Sequence, residues 1–160
     1  MGLQHYRGDT EAALGLQAMY VSTLGLSVQH ADSTFLLGKQ SVNRGVTSLE
    51  FRLCPLFLAR WSQALEMGPR LLDLTLDSFT IGLGAYWDHD RDIGRLRRGI
   101  SVSTGVSFPL FGSANGPWLN STLALRFAEG PAFSAQADVM VGLGLTWALL
   151  IDSGLHDDNP

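Results

Sequence analysis

Two of the residues that could do chemistry, a histidine and a serine, lie within one short stretch. Gln29 to Ser33 brings together a histidine, a carboxylate and a hydroxyl, so that His30 and Ser33 could serve as base and nucleophile of a hydrolase. Such a pair must meet at about 3 Å, a distance that neighbours within one tight loop rarely reach. A polar turn is therefore the preferred interpretation, and we assign no catalytic residue.

A second polar stretch carries several carboxylates. Asp88, His89, Asp90 and Asp92 form an oxygen-rich segment of the kind that binds a hard cation such as calcium. The segment lacks the glycine and the distal glutamate of an EF-hand loop. A solvated charged loop is the better interpretation, and we expect neither a metal site nor a cofactor.

Four arginines lie beside these carboxylates, and guanidinium groups suit the recognition of phosphate. Two interpretations stay open: contact with a phosphate or lipid headgroup, and ordinary pairing with the adjacent aspartates, which the alternating charges favour. The four residues are Arg91, Arg95, Arg97 and Arg98.

The elements that must position these residues are β-strands. From Phe133 to Leu149 apolar side chains alternate with small or polar ones without a break, a period of two that a strand produces and a helix does not. A membrane-crossing strand needs about 9 to 11 residues, so this length favours a bilayer wall over a common soluble sheet. Similar alternation covers 13–29, 34–40, 46–61, 71–87, 96–111 and 119–127.

Short connections between these segments predict an all-β fold, an up-and-down antiparallel barrel of about eight strands that is transmembrane. Pro55 predicts a bulge or an edge, and a one-residue phase slip at Asp77-Ser78 predicts a bulge or a turn, which makes the count seven or eight. No segment is predicted to be helical. The predicted organisation is a polar arm over 1–12, the barrel over 13–151 and a polar tail over 152–160.

Composition supports a membrane environment and excludes other classes. Charged residues make up only 16% of the chain and hydrophobic ones 46%, whereas soluble domains have about 25% charged residues. No apolar run is long enough for a transmembrane helix, and no basic stripe points to nucleic acid. Cys54 is the single cysteine, which excludes an internal disulfide. The start of the sequence lacks the pattern of a secretory signal, so export requires one upstream.

The glycines predict which face of each strand points inward. They fall on the faces opposite the large apolar residues, and small residues suit the crowded interior of a small barrel. That orientation places both signs of charge inside, where we expect an ion-paired network of Glu50, Arg52, Asp73, Arg126 and Asp138. It turns the large apolar side chains toward lipid, among them Val139, Val141, Leu143 and Leu145. Four tryptophans near strand ends fit the two bilayer interfaces: Trp61, Trp87, Trp118 and Trp147.

Three stretches alternate in the same way: ALGLQAMYVSTLGLSVQ, RRGISVSTGVSFPLFG and ADVMVGLGLTWALL. With them the chain resembles the small, eight-stranded β-barrel proteins of bacterial outer membranes, a resemblance to a class and not to one family. It implies a bacterial outer-membrane location, and it implies that lipid-modifying enzymes of the class use Ser and His at the barrel rim. One departure is that a polar tail follows Ile151, where the class usually ends on an aromatic strand terminus.

These observations predict a filled, closed outer-membrane barrel that acts as a structural or binding component, with membrane lipid or lipopolysaccharide and other envelope proteins as partners. An open channel needs about 16 strands, more than this chain supplies. Two alternatives remain: a soluble, lipocalin-like carrier of an apolar small molecule with its apolar faces inward, and a lipid-modifying enzyme that uses His30 and Ser33.

Overall fold

The chain forms one closed barrel of eight antiparallel strands in up-and-down order. The computed structural model describes residues 1–6, 9–20, 23–32, 44–63, 69–90, 94–111, 113–129 and 137–148. Each strand pairs with its neighbours in the chain, and β1 pairs with β8 to close the ring. The strands are β1 Gly2–Tyr6, β2 Asp9–Tyr20, β3 Leu24–Asp32, β4 Arg44–Leu53, β5 Thr80–Asp90, β6 Arg95–Pro109, β7 Gly116–Ala128 and β8 Asp138–Ala148. The predicted all-β barrel is confirmed.

Two short helices connect β4 to β5, at what we call the helix end of the barrel. They are α1 Pro55–Gln63 and α2 Arg70–Asp77. Strands were predicted over 46–61 and 71–87. Residues 55–61 and 71–77 are helical, so the prediction is wrong for them, whereas 46–53 and 80–87 are strands as predicted. Pro55 occupies the first turn of α1, where a missing N–H and a fixed φ favour a helix start. The predicted phase slip at Asp77-Ser78 corresponds to the end of α2, just before β5 begins.

Arg60 joins the two helices. Its Nη2 lies 2.8 Å from Asp73 Oδ1 and its Nη1 lies 2.6 Å from Asp77 Oδ1. Ser78 then ties the end of α2 to the barrel, because its hydroxyl donates to the Ser107 carbonyl at 2.7 Å. Asp73 was predicted to lie inside the barrel, and this prediction is wrong: a carboxylate on α2 belongs to the helical connection. In the described part of the chain, no helix is long and apolar enough to cross a membrane.

The N-terminal residues form part of the barrel wall. The predicted polar arm over 1–12 is wrong, because it contains β1 and the start of β2. Its polar side chains alternate in phase with the interior: Gln4 and Glu11 are buried, whereas Leu3 is exposed. A wall strand that borders a polar interior carries inward polar residues, so its composition resembled that of a free arm.

The segment predicted as one strand over 13–29 is a hairpin of β2 and β3. Thr23 lies in the turn, where its N–H donates to the Tyr20 carbonyl at 2.9 Å. Tyr20 pairs with Leu24, so the outward phase continues unbroken across the turn. Periodicity alone therefore could not show the break. The weak strand predicted over 34–40 and the tail over 152–160 lie outside the described residues.

Cys54 follows β4 directly and is 4% exposed. Its N–H donates to the Thr23 carbonyl at 2.8 Å. Burial raises the pKa of its thiol, an effect that the Arg52 charge only partly offsets. A thiol that is both covered and held protonated reacts slowly, because the thiolate is the nucleophile. We expect iodoacetamide at pH 8 to alkylate Cys54 in the folded protein at least about tenfold more slowly than in urea.

Mass spectrometry over time measures this rate, and the same chain in urea is the control. Equal rates in the two states would show that the thiol is not covered as described.

Candidate functional site

The barrel presents two candidate functional surfaces, its polar interior and its apolar exterior. Both follow from the strand period of two, which sends successive side chains to opposite faces. The first surface is a set of buried charged and polar groups. The second is a belt of large side chains that the barrel leaves uncovered.

Glu50 stands at the middle of the interior network. Its carboxylate accepts hydrogen bonds from Ser101 Oγ at 2.9 Å and Ser103 Oγ at 2.7 Å, and Arg52 Nη2 lies 3.4 Å away. Arg52 also donates to Gln17 Oε1 at 3.1 Å. Glu50 is buried and Arg52 is half-buried. An ion pair between these two members of the predicted interior network is present in the structure.

Arg126 is also buried in the barrel, with 2% of its surface exposed. Its guanidinium carbon is 5.4 Å from the centre of the Tyr86 ring, and its Nη2 is 3.2 Å from Met140 Sδ. An arginine over an aromatic face is stabilised by the ring quadrupole. Asp138, the first residue of β8, faces Arg126 across the β7–β8 ladder. These two members of the predicted interior network are therefore neighbours across the ladder.

The end of the barrel opposite the helices holds buried groups that the sequence analysis missed. Arg44 Nε donates to Asp88 Oδ1 at 2.7 Å, its Nη2 contacts Asp88 Oδ2, and both side chains are buried. Gln4 donates to Glu11 Oε2 at 2.8 Å. Asp88 was assigned to a loop, yet it is in phase with the inward Gly82 and Gly84, and that phase was the available signal.

His89 does not share a site with Asp88. His89 is the next residue on β5, so it points outward and is exposed, and Asp92 lies outside the described residues. Among the described residues, no three histidines, cysteines or carboxylates lie close enough to hold a metal ion. The Asp88 carboxylate is instead the ion-pair partner of Arg44.

The arginine cluster divides between the two faces of β6. Arg97 is half-buried and faces Asp88 across the β5–β6 ladder. Arg98 is on the outer face, where its Nε lies 2.6 Å from Glu129 Oε2. Arg95 is exposed at the start of β6, and Arg91 lies outside the described residues. Arg97 and Arg98 therefore do not share one face, because neighbours on a strand face opposite ways. Contact of these arginines with phosphate stays a prediction.

The exterior is a belt of large aliphatic and aromatic side chains that circles the barrel. Val139, Val141, Leu143 and Leu145 of β8 are all about half exposed. β1 contributes only Leu3 among the described residues. Each of the remaining strands contributes several such residues: Leu14, Leu16, Leu24, Leu26, Val28, Leu49, Phe51, Ile81, Leu83, Ile100, Val102, Phe108, Leu119, Leu123 and Leu125. We call this set the apolar belt.

The apolar belt ends in a row of polar and amphipathic side chains at the end of the barrel opposite the helices. His30, Thr47, Trp87 and Arg98 face one another in turn across the ladders from β3 to β6. His30 Nδ1 lies 2.9 Å from Thr47 Oγ1, so this histidine belongs to the outer row. Ser33, its proposed partner in catalysis, lies outside the described residues. We call these four residues the boundary row.

Aromatic side chains lie at the helix end of the apolar belt. Tyr20 ends β2 and Trp147 lies next to the end of β8, and both are largely exposed. Trp118 donates its indole N–H to the Ala114 carbonyl at 3.2 Å and is half-buried. Trp61 is on α1 and not at a strand end.

No protein-family model, curated protein or solved structure matches this chain. The geometry must therefore carry the functional argument.

Proposed function

We propose that this protein is a small β-barrel of a bacterial outer membrane, a structural or binding component whose partners are membrane lipid or lipopolysaccharide and other envelope proteins. The observation that carries the proposal is the inside-out distribution of side chains: charges and hydroxyls are buried in the barrel, and large apolar side chains cover its outside. In water that arrangement exposes a large apolar surface, whereas in a bilayer the apolar belt contacts hydrocarbon.

Strand length and the two rims of the apolar belt support the same environment. β2 has 12 residues, β5 has 11 and β8 has 11, close to the roughly 9 to 11 that a tilted strand needs to cross hydrocarbon. Trp87 and Arg98 on one rim and Trp147 on the other suit the headgroup regions, where rings and long cationic side chains have one apolar and one wet end.

The filled interior supports a structural or binding role over conduction. Glu50 and Arg126 project into an eight-stranded barrel, whose width is just enough for side chains to occupy. The lipocalin-like alternative requires large apolar side chains on the inner faces. Leu14, Leu83 and Leu143 are instead on the outer faces and exposed, an arrangement that favours the membrane proposal.

A lipid-exposure experiment tests the proposal. The protein is refolded into phosphatidylcholine vesicles, and its tryptophan fluorescence is measured with lipids brominated near the headgroup or at the chain ends. We expect the protein to float with the vesicles after a high-salt wash. We also expect headgroup-side bromines to quench more than terminal ones, because Trp87 and Trp147 lie at the rims.

A Trp147→Phe variant is the matched control and should lose part of the headgroup-side quenching. A chain that stays monodisperse without detergent and does not float with vesicles would disprove the membrane proposal. Vesicles with and without lipopolysaccharide then separate general lipid contact from recognition of that lipid.

A further inference from the structure

The second helix of the β4–β5 connection carries leucines that the fold does not bury. Four of the eight residues of α2 are leucines, and none of its residues is buried. Leu71 is 52% exposed and Leu72 is 45% exposed. A surface helix of a water-soluble domain turns its apolar side toward the core and its charges toward solvent. α2 does not follow this rule.

The carboxylates of α2 face the neighbouring helix. At about 100° per residue, Asp73 and Asp77 lie on one side of α2 and the leucines lie on the other. Both carboxylates contact Arg60 of α1, at 2.8 Å and 2.6 Å. The two helices thus hold these charges between them, which repeats the inside-out arrangement of the barrel. We call the opposite side of α2 the leucine face, and it consists of Leu71, Leu72, Leu74 and Leu76.

The hydroxyl that lies among these leucines has its partner within the helix. Thr75 lies between Leu71 and Leu72 around the helix axis, and its Oγ1 donates to the Leu71 carbonyl at 2.8 Å. A hydroxyl that donates to the preceding turn needs no water for this bond. The leucine face can therefore enter an apolar environment without leaving this donor unsatisfied.

The position of α2 makes the leucine face continuous with the apolar belt. β5 begins at Thr80, which faces Gly105, so the last residues of β6 extend past β5. α2 packs against β6 in its place. Ser78 fixes this contact, because its hydroxyl donates to the Ser107 carbonyl at 2.7 Å and accepts from the Ser107 N–H at 2.8 Å. The next outward residue of β6, Phe108, is exposed and belongs to the apolar belt.

The same end of the barrel carries the aromatic side chains of one rim. Leu110 follows β6, and its N–H donates to the Pro117 carbonyl at 3.1 Å. Pro117 in turn faces Trp147 across the β7–β8 ladder. In the proposed membrane, tryptophan at this rim marks the level where headgroups meet hydrocarbon. α2 therefore lies beside that level.

We propose that the leucine face of α2 inserts into the boundary between lipid headgroups and hydrocarbon, so that the helical connection is a second lipid-contacting surface of this protein. This inference rests on the proposed membrane function and adds a surface to it. An amphipathic helix in such a position buries its apolar side about 5 to 10 Å into the boundary. Arg70 is exposed at the start of α2, where a cation suits the phosphate level of the bilayer.

The chemistry of the leucine face fits lipid better than a folded protein partner. A specific protein interface surrounds its apolar core with hydrogen bonds and charged contacts. Within α2, the two carboxylates are held by Arg60 and the Thr75 hydroxyl donates to its own helix. The leucine face thus offers apolar area with few directional contacts, and fluid hydrocarbon requires none.

Spin labelling of the full chain in phosphatidylcholine vesicles tests the inference. Leu72→Cys, Leu143→Cys and Arg95→Cys are each made in a Cys54→Ala background and labelled with a nitroxide. Leu143 reports the apolar belt, and Arg95, exposed at the start of β6, reports water. We expect the ratio of collisions with oxygen to collisions with a nickel chelate to be at least about threefold higher at Leu72 than at Arg95.

The three labels distinguish failure of this inference from failure of the membrane proposal. A ratio at Leu72 equal to that at Arg95, with a high ratio at Leu143, overturns the inference and leaves the membrane proposal standing. A low ratio at all three positions overturns both. Infrequent collisions with both reagents at Leu72 would show that protein covers the leucine face, and this result also overturns the inference.

The chain without any substitution provides a second measurement. Phosphatidylcholine with a diazirine next to the acyl carbonyl is activated by light in the same vesicles, and mass spectrometry maps the lipid adducts. We expect adducts between Leu71 and Leu76 as well as on the apolar belt. Adducts on the apolar belt with none on α2 would contradict the inference, whether or not the labelled variants fold.

Discussion

Replacing Leu143 by arginine is expected to lower the free energy of unfolding in phospholipid bilayers by about 2 to 4 kcal/mol, the range known for a cation on the lipid face near the midplane. Leu143 is halfway along β8, and 59% of its surface is exposed. In water an exposed leucine-to-arginine change is almost neutral, so a loss of this size depends on hydrocarbon outside the barrel. Urea titration in vesicles, followed by tryptophan fluorescence, measures it.

Leu96→Arg provides the matched control. Leu96 is also exposed on an outer face, but it lies near the start of β6 and faces His89, beyond the boundary row. At that depth the same substitution should cost only about 0 to 1 kcal/mol. Equal effects at Leu96 and Leu143 would contradict the position of the apolar belt.

Removing the Glu50 carboxylate is expected to destabilise the barrel by about 2 to 4 kcal/mol. Glu50→Ala removes the carboxylate beside the half-buried Arg52, which keeps its contact with Gln17, and takes the acceptor from Ser101 and Ser103. A guanidinium whose carboxylate is lost in a low-dielectric interior is costly, because the remaining charge keeps its desolvation penalty. The same urea titration measures the change.

A double-mutant cycle isolates the ion pair. If Glu50 and Arg52 stabilise each other, the loss in Glu50→Ala/Arg52→Ala should be smaller than the sum of the two single losses by at least about 1 kcal/mol. Ser103→Ala is the control for the hydroxyl contact and should cost about 1 kcal/mol. Additive losses in the cycle would show that the two charges do not interact in the folded barrel.

The alternating pattern was sufficient for the fold class. The period of two over β5 to β8 arises because the two faces of each strand lie in different environments. This difference affects every residue of a strand, so the pattern can be recognised within a short stretch of sequence. The same pattern could not separate β2 from β3, since the turn at Thr23 preserves the phase. It also could not identify α2, because Leu72 and Leu76 are spaced four apart and fit a helix as well as a strand.

The candidate site was only partly readable from the sequence. Glu50 and Arg52 lie two residues apart on one strand, so their shared face was predictable. Arg44 and Asp88 come from strands that meet only through the β4–β5 ladder and a helical connection, and no local pattern marks them as a pair. Asp73 was wrongly assigned to the interior, because that assignment depended on a predicted strand that is helical in the structure.

By itself the sequence determined that this chain forms a barrel of amphipathic strands, because side-chain alternation is a property of neighbouring residues. The tertiary structure decided which residues meet: the register of closure places Gly2 between Ala13 and Gly144. Ladder register depends on pairing between distant segments. Such pairing is set by the whole closed ring and not by any one strand.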